Sequence, residues 1–155
     1  MSHPTLLSIF AQPALANLSD GTRVVGVTVN AGSVQEATRK AFGTLFECIR
    51  ENNIPMGSPV ITKIPLQPDG TFTVYFTIGT HEVVTKRDGV ESTTLQLGGM
   101  RRIDFGGWVT QAQIGNLMKQ EGLKPAGGAV YVAQYNSPFR AFGRRNQLLY
   151  FTTAD

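Results

Sequence analysis

The spacing of apolar positions changes abruptly at several points along the chain, and each change marks an element. In TRVVGVTVN (residues 22–30), Val25, Val27 and Val29 recur at every second position, the pattern of a strand with one buried face. The period then lengthens. Ser33 and Glu36 stand at capping-box spacing before an amphipathic run that continues to about Asn53, with Pro55 as a stop, which predicts a helix. GSPVITKI (57–64) and TFTVYFTI (71–78) read as two strands joined through the PDG turn at 68–70, the second placing Phe72, Val74, Phe76 and Ile78 on one face. The same order recurs downstream. MRRIDF (100–105) predicts a strand, Thr110 and Gln113 form a second capping box opening a helix to about Glu121, and Gly122 and Pro125 end it. GGAVYVAQY (127–135) and NQLLYFTT (146–153) then make a closing hairpin, and the triplet YFT occurs at both 75–77 and 150–152.

This order predicts two βαββ units, at about 22–78 and 100–153, within one domain spanning residues 1–155. A unit whose sheet leaves one face uncovered pairs with its twin. The expected fold is α+β: a curved, barrel-like antiparallel sheet with two helices packed on it.

The first helix carries more apolar surface than one sheet contact needs. Val34, Ala37, Ala41, Leu45 and Cys48 form a core stripe, and Phe42, Phe46 and Ile49 widen it to roughly half the circumference. Arg39, Gly43, Phe46 and Arg50 run along the margin of this arc, which sets a bare glycine between two cations and beside two aromatics. A mid-helix glycine costs about 1 kcal/mol relative to alanine, so close approach is expected at Gly43, either by a flat anionic ligand or by a packing segment. Gly115, in the second helix, has no flanking arginine and reads as a packing glycine. Glu36, Glu47 and Glu51 fall on the solvent side of the first helix, and no acid/base pair is evident.

Composition narrows the function classes. Charged residues make up 16% of the 155-residue chain and the net charge is +3, with no Lys/Arg run longer than two, which argues against nucleic acid and tolerates an anionic ligand. The single cysteine, Cys48, excludes an intrachain disulfide framework, and no spacing suggests a zinc site. No run of 18 apolar residues predicts a membrane span, and residues 1–20 lack a signal-peptide pattern, so a cytoplasmic protein is expected.

Three segments in order carry a family resemblance: IPMGSPVITKI (54–64), FGGW (105–108) and YNSPFRAFGRRNQLLYF (135–151). Together they resemble the SOUL haem-binding protein family over roughly residues 22–153. The resemblance implies a duplicated βαββ fold, similar to effector-binding domains of the GyrI type. It also implies reversible, non-covalent binding of haem (protoporphyrin IX iron) or a related tetrapyrrole in a hydrophobic cleft along the first helix. The matching positions are Arg39, Phe42, Gly43 and Phe46, to which the spacing adds Ile49 and Arg50. The chain departs from the family in its linker, GTHEVVTKRDGVESTT, and in having no histidine in TLLSIFAQ. His3 and His81 are the only histidines, and both are weak candidates for an iron ligand. Met56, Met100, Met118, Cys48 or a tyrosine is an alternative.

In the third segment, Asn136, Ser137 and Pro138 predict a turn, Phe139 and Phe142 a lid, and Arg144 and Arg145 an architectural pair on opposite faces. Trp108 is expected to pack at the start of the second helix, with pocket lining as the alternative. The leading reading is a haem carrier, buffer or sensor, acting as a monomer or weak dimer and not as an enzyme. The alternatives are a GyrI-like effector-binding protein and a tetrapyrrole-modifying enzyme.

Overall fold

The structure is a computed structural model that describes residues 21–152, apart from residues 58, 68, 85–86, 121–124 and 136–144. Its elements are β1 (Thr22–Asn30), α1 (Val34–Glu51), β2 (Val60–Pro65), β3 (Thr71–Thr77), β4 (Val90–Leu95), β5 (Arg101–Gly106), α2 (Gln111–Gln120), β6 (Pro125–Gln134) and β7 (Arg145–Thr152). The seven strands form one antiparallel sheet in the order β4-β1-β3-β2-β6-β7-β5. Without β4 this order is a palindrome, β1-β3-β2 against β6-β7-β5, as two βαββ units joined through β2 and β6 require.

The registers align the two units. Opposite one another across six strands stand Val27, Val74, Thr62, Val132, Leu148 and Ile103, a row symmetric about the Thr62–Val132 pair. By the same registers Phe76 corresponds to Tyr150, since Phe76 faces Val25 and Tyr150 faces Arg101. The YFT triplets are therefore out of register by one residue. Tyr75 and Tyr150 lie on opposite faces of the sheet, and the letter match carries no structural equivalence.

The sheet is curved but not closed, because its edge strands β4 and β5 do not pair. Seven strands laid flat would hold those edges about 29 Å apart. The chain from Leu95 to Arg101 reaches at most about 22 Å, so the sheet must curl toward this link. Leu97 and Met100 of the link plug the concave face against Ile61, Ala133 and Leu149, with Tyr75, Tyr131 and Tyr135 around them. Tyr75 lies over Gly26, where a Cβ would stand 2.6 Å from ring atom Cε1, so this strand position needs a glycine. Burial pushes up the hydroxyl pKa of Tyr75, Tyr131 and Tyr135. Tyr135 donates to Gln147 Oε1 at 2.6 Å, and Gln147 Nε2 donates to Asp104 Oδ1 at 2.9 Å.

Both helices lie on the convex face. Val34, Ala37, Thr38, Ala41, Leu45, Cys48 and Ile49 of α1 are buried against β1, β3 and β2, whereas α2 fully buries Ile114 alone and rests on partly buried Leu117 and Met118. Each expected capping box is half formed. Ser33 Oγ accepts from Glu36 N and Thr110 Oγ1 from Gln113 N, both at 3.1 Å, but the return bonds are absent. Glu36 instead pairs with Lys40, and Gln113 Nε2 donates to Gly106 O.

The segment expected to be a linker contains β4, an added edge strand paired with β1 from Thr22–Leu95 to Val27–Val90. Its approach is stapled to the end of α1. Val84 N donates to Asn52 Oδ1 at 2.7 Å, and Arg87 pairs with Glu51 and, at 3.8 Å, with Glu47. Strand β2 begins at Val60 rather than Gly57, because Gly57 lies against Thr77, whose Oγ1 would be 2.7 Å from a Cβ.

Candidate ligand-binding groove

The two flanks of α1 face different surroundings. On one, Glu47 and Glu51 meet Arg87 at the β4 edge, and a hydrogen bond from Arg50 holds the Glu47 carboxyl below the usual range. The opposite flank carries Arg39, Phe42 and Phe46 and overlooks β3, β2 and the second unit. There the Phe42 ring meets Phe76 edge-on at 5.4 Å and stacks on Phe46 at 5.9 Å, with the planes 11° apart. Phe46 remains 40% exposed, so the outer end of this stack faces solvent. Arg39 is exposed on the same side, and no ion pair engages it among the described residues.

The candidates from the sequence thus separate into three positions. Arg39, Phe42 and Phe46 come together on the flank. Gly43 and Arg50 lie on the outer ridge beside it, with Arg50 hydrogen-bonded to Glu47. Ile49 is in the core beneath, 2% exposed. A Cβ at Gly43 would meet nothing within 4 Å, so among the described residues no segment packs there. Gly115 is equally open, which corrects its reading as a packing glycine. Trp108 stands 43% exposed at the start of α2. His81 is exposed in a turn, with Nδ1 3.1 Å from Ile78 O. Cys48 and Met100 are buried, and burial, then the charge of Glu51, pushes the Cys48 thiol up and keeps it protonated. Among the described residues no group of three His, Cys, Asp or Glu side chains could hold a metal. His3, Asn136, Ser137, Pro138, Phe139, Phe142 and Arg144 lie outside the described residues.

Between the helices the sheet offers a floor that the sequence pattern does not announce. Along successive strands Phe76, Val60, Gln134, Asn146 and Phe105 stand opposite one another, so the row that begins under Phe42 becomes polar at β6 and β7. Asn146 is 2% exposed, and its Nδ2 donates to Gly107 O at 2.8 Å. That bond joins two of the three sequence motifs, FGGW and RRN, and fixes the turn that leads into α2. Asn146 Oδ1 and the hydroxyl of Thr62 are buried without a hydrogen-bond partner.

The chain matches the SOUL heme-binding protein family over residues 19–151 and belongs to it. No curated protein matches it in sequence. Among solved structures, the crystal structure of a hydrolase from Listeria innocua is similar at a TM-score of 0.54 and 12% identity, covering 86% of this chain and 88% of that one. The structure of SAV2435 bound to tetraphenylphosphonium gives a TM-score of 0.42 at 12% identity, covering 86% and 90%. At such identities the likeness to the hydrolase is one of fold. No helix among the described residues is long and apolar enough to cross a membrane.

Proposed function

We propose that this protein binds haem or a related tetrapyrrole non-covalently, as a carrier, buffer or sensor rather than an enzyme, in the groove bounded by the Phe42–Phe46 flank of α1. The observation that carries the reading is the solvent-facing aromatic stack beside an unpaired arginine, in a member of a haem-binding family. A flat macrocycle covers such a stack with little polar desolvation, and a guanidinium at its rim takes a propionate carboxylate. These residues fit the macrocycle and its acid groups. None of Arg39, Phe42, Gly43, Phe46, Ile49 and Arg50 is an iron ligand by chemistry, so axial coordination is assigned to no residue of the flank. Bound haem would supply iron-centred chemistry; the chain's part is to hold, orient and shield the ring.

A lipophilic cation, the ligand class of a GyrI-like effector-binding protein, requires a carboxylate in the groove. Glu47 and Glu51 are on the other flank and are engaged by Arg50 and Arg87, which favours the anionic ligand. Titration with hemin tests the reading: a Soret shift that saturates near one equivalent is expected, and a flat difference spectrum overturns it.

A further inference from the structure

Two buried polar atoms on the convex face have no partner: the hydroxyl of Thr62, which is 0% exposed, and Oδ1 of Asn146. The Thr62 position is the centre of the pseudo-symmetric sheet, opposite Val132, and Asn146 is two strands away on β7. Leaving such groups unpaired in the interior is costly. The orientation of the Asn146 amide is set by its Nδ2 bond to the Gly107 carbonyl, which leaves the oxygen as a fixed acceptor. Neither atom helps to hold the sheet, which is paired through its backbone. Both stand on the floor beside the aromatic flank.

From this we infer that the groove floor reads the nitrogen edge of its ligand: Thr62 Oγ1 and Asn146 Oδ1 accept hydrogen bonds from outward-facing N–H groups, and the preferred ligand is an open-chain, metal-free tetrapyrrole. The inference rests on the tetrapyrrole reading above and narrows it. A closed macrocycle turns its four nitrogens toward one another, and iron removes their protons, so haem has no N–H for either atom. An open chain carries N–H groups along its length and at both ends. The two acceptors lie about 10 Å apart laterally, a separation that an extended chain spans and a macrocycle's inward-facing nitrogens do not. Its end carboxylates and flat rings still have Arg39 and the Phe42–Phe46 stack.

Both acceptors are covered in this state, so the groove opens to admit a ligand.

The test titrates the whole chain with biliverdin and with hemin, by visible absorption, for the wild type, Thr62→Val and Asn146→Leu, alongside the melting midpoint of each free protein. Thr62→Val removes the hydroxyl at nearly constant shape. Its midpoint should hold or rise, because an unpaired buried group is lost. Its biliverdin affinity should fall about tenfold, one hydrogen bond's worth, while hemin affinity stays within about twofold. Asn146→Leu should show the same selectivity, and if it fails to fold the threonine variant decides alone. Equal loss for both ligands, or no loss for either, overturns the floor contact while leaving hemin binding in place. A lower midpoint with both affinities unchanged shows that a buried water served the hydroxyl and also overturns it. A wild type that binds neither compound removes the tetrapyrrole reading itself.

Discussion

Replacing Gly43 separates what the helix needs from what the site needs. Gly43 lies in the middle of an otherwise regular α1, Val34–Glu51, and a Cβ there would meet nothing within 4 Å. Gly43→Ala therefore adds no contact and removes none; it changes only the freedom of the backbone and the helix propensity. The gain is about 1 kcal/mol, which for a chain of this size raises the melting midpoint by about 2–4 °C. Gly43→Leu should gain nearly as much, since leucine ranks just below alanine. Its side chain, however, would extend from the ridge beside Phe46 and Arg39 into the space a ring would use. Scanning calorimetry of the two variants and a hemin titration of each give four numbers. The expected pattern is a higher midpoint in both, near-normal affinity for alanine and an affinity at least about tenfold weaker for leucine, the equivalent of 1.4 kcal/mol. A lower midpoint in Gly43→Ala would mean that another surface covers the glycine in solution and would refute the open-space reasoning. Normal hemin affinity in Gly43→Leu would move the ring off this ridge.

Arg39→Glu should weaken hemin binding while leaving the midpoint nearly unchanged, because an exposed, unpaired helix charge adds little to folding; equal affinity removes Arg39 from the site. Replacing His3 and His81 together by alanine should leave the Soret maximum in place, and a shifted band with a large loss of affinity would identify an axial histidine. Gly26→Ala drives a methyl into the Tyr75 ring and should cost about 1–3 kcal/mol by chemical denaturation; an unchanged midpoint would show that the ring yields freely. Because burial raises the pKa of Tyr75, Tyr131 and Tyr135 above the ordinary value of 10.0, the folded chain keeps protons there that the unfolded chain releases. Stability should therefore fall as pH rises past about 10, followed by denaturation midpoints and tyrosinate absorption, and a flat profile would place the hydroxyls in water.

Much of the fold was legible because its elements bury one face at a fixed period. Val25, Val27 and Val29, or Phe72, Val74 and Phe76, announce strands wherever such a face exists. Strand β4 has no such face. VESTTL is exposed at its four central positions and is held by backbone pairing to β1, so no hydrophobic period records it. The YFT repeat misled for a related reason: three matching letters ignore which side of the pleat each residue takes. In the candidate site, the widened apolar arc of α1 singled out Phe42 and Phe46, since surplus apolar surface on a helix is visible in one short segment. The floor was not visible, because Thr62, Gln134 and Asn146 come from three strands and meet only through the pairing of β2 with β6 and β6 with β7. Gly115 was misjudged because α2 lies more lightly on the sheet than its pattern suggested.

The palindromic strand order also bears on how the molecule assembles. Within each half, pairing joins either consecutive strands, β2 with β3 and β6 with β7, or strands about 40–50 residues apart, β1 with β3 and β5 with β7, whereas the halves meet through β2 and β6, from Val60–Gln134 to Pro65–Ala129, over a greater separation still. Pairings so distant in sequence slow folding, because the chain loses loop entropy before it gains contacts. Each βαββ half is thus expected to collapse first, and the central seam to zip last. Thr62 and Val132 lie on that seam, so the groove does not exist until the halves have joined. A ligand seated there binds the assembled sheet alone, and its affinity adds directly to the cohesion of the seam.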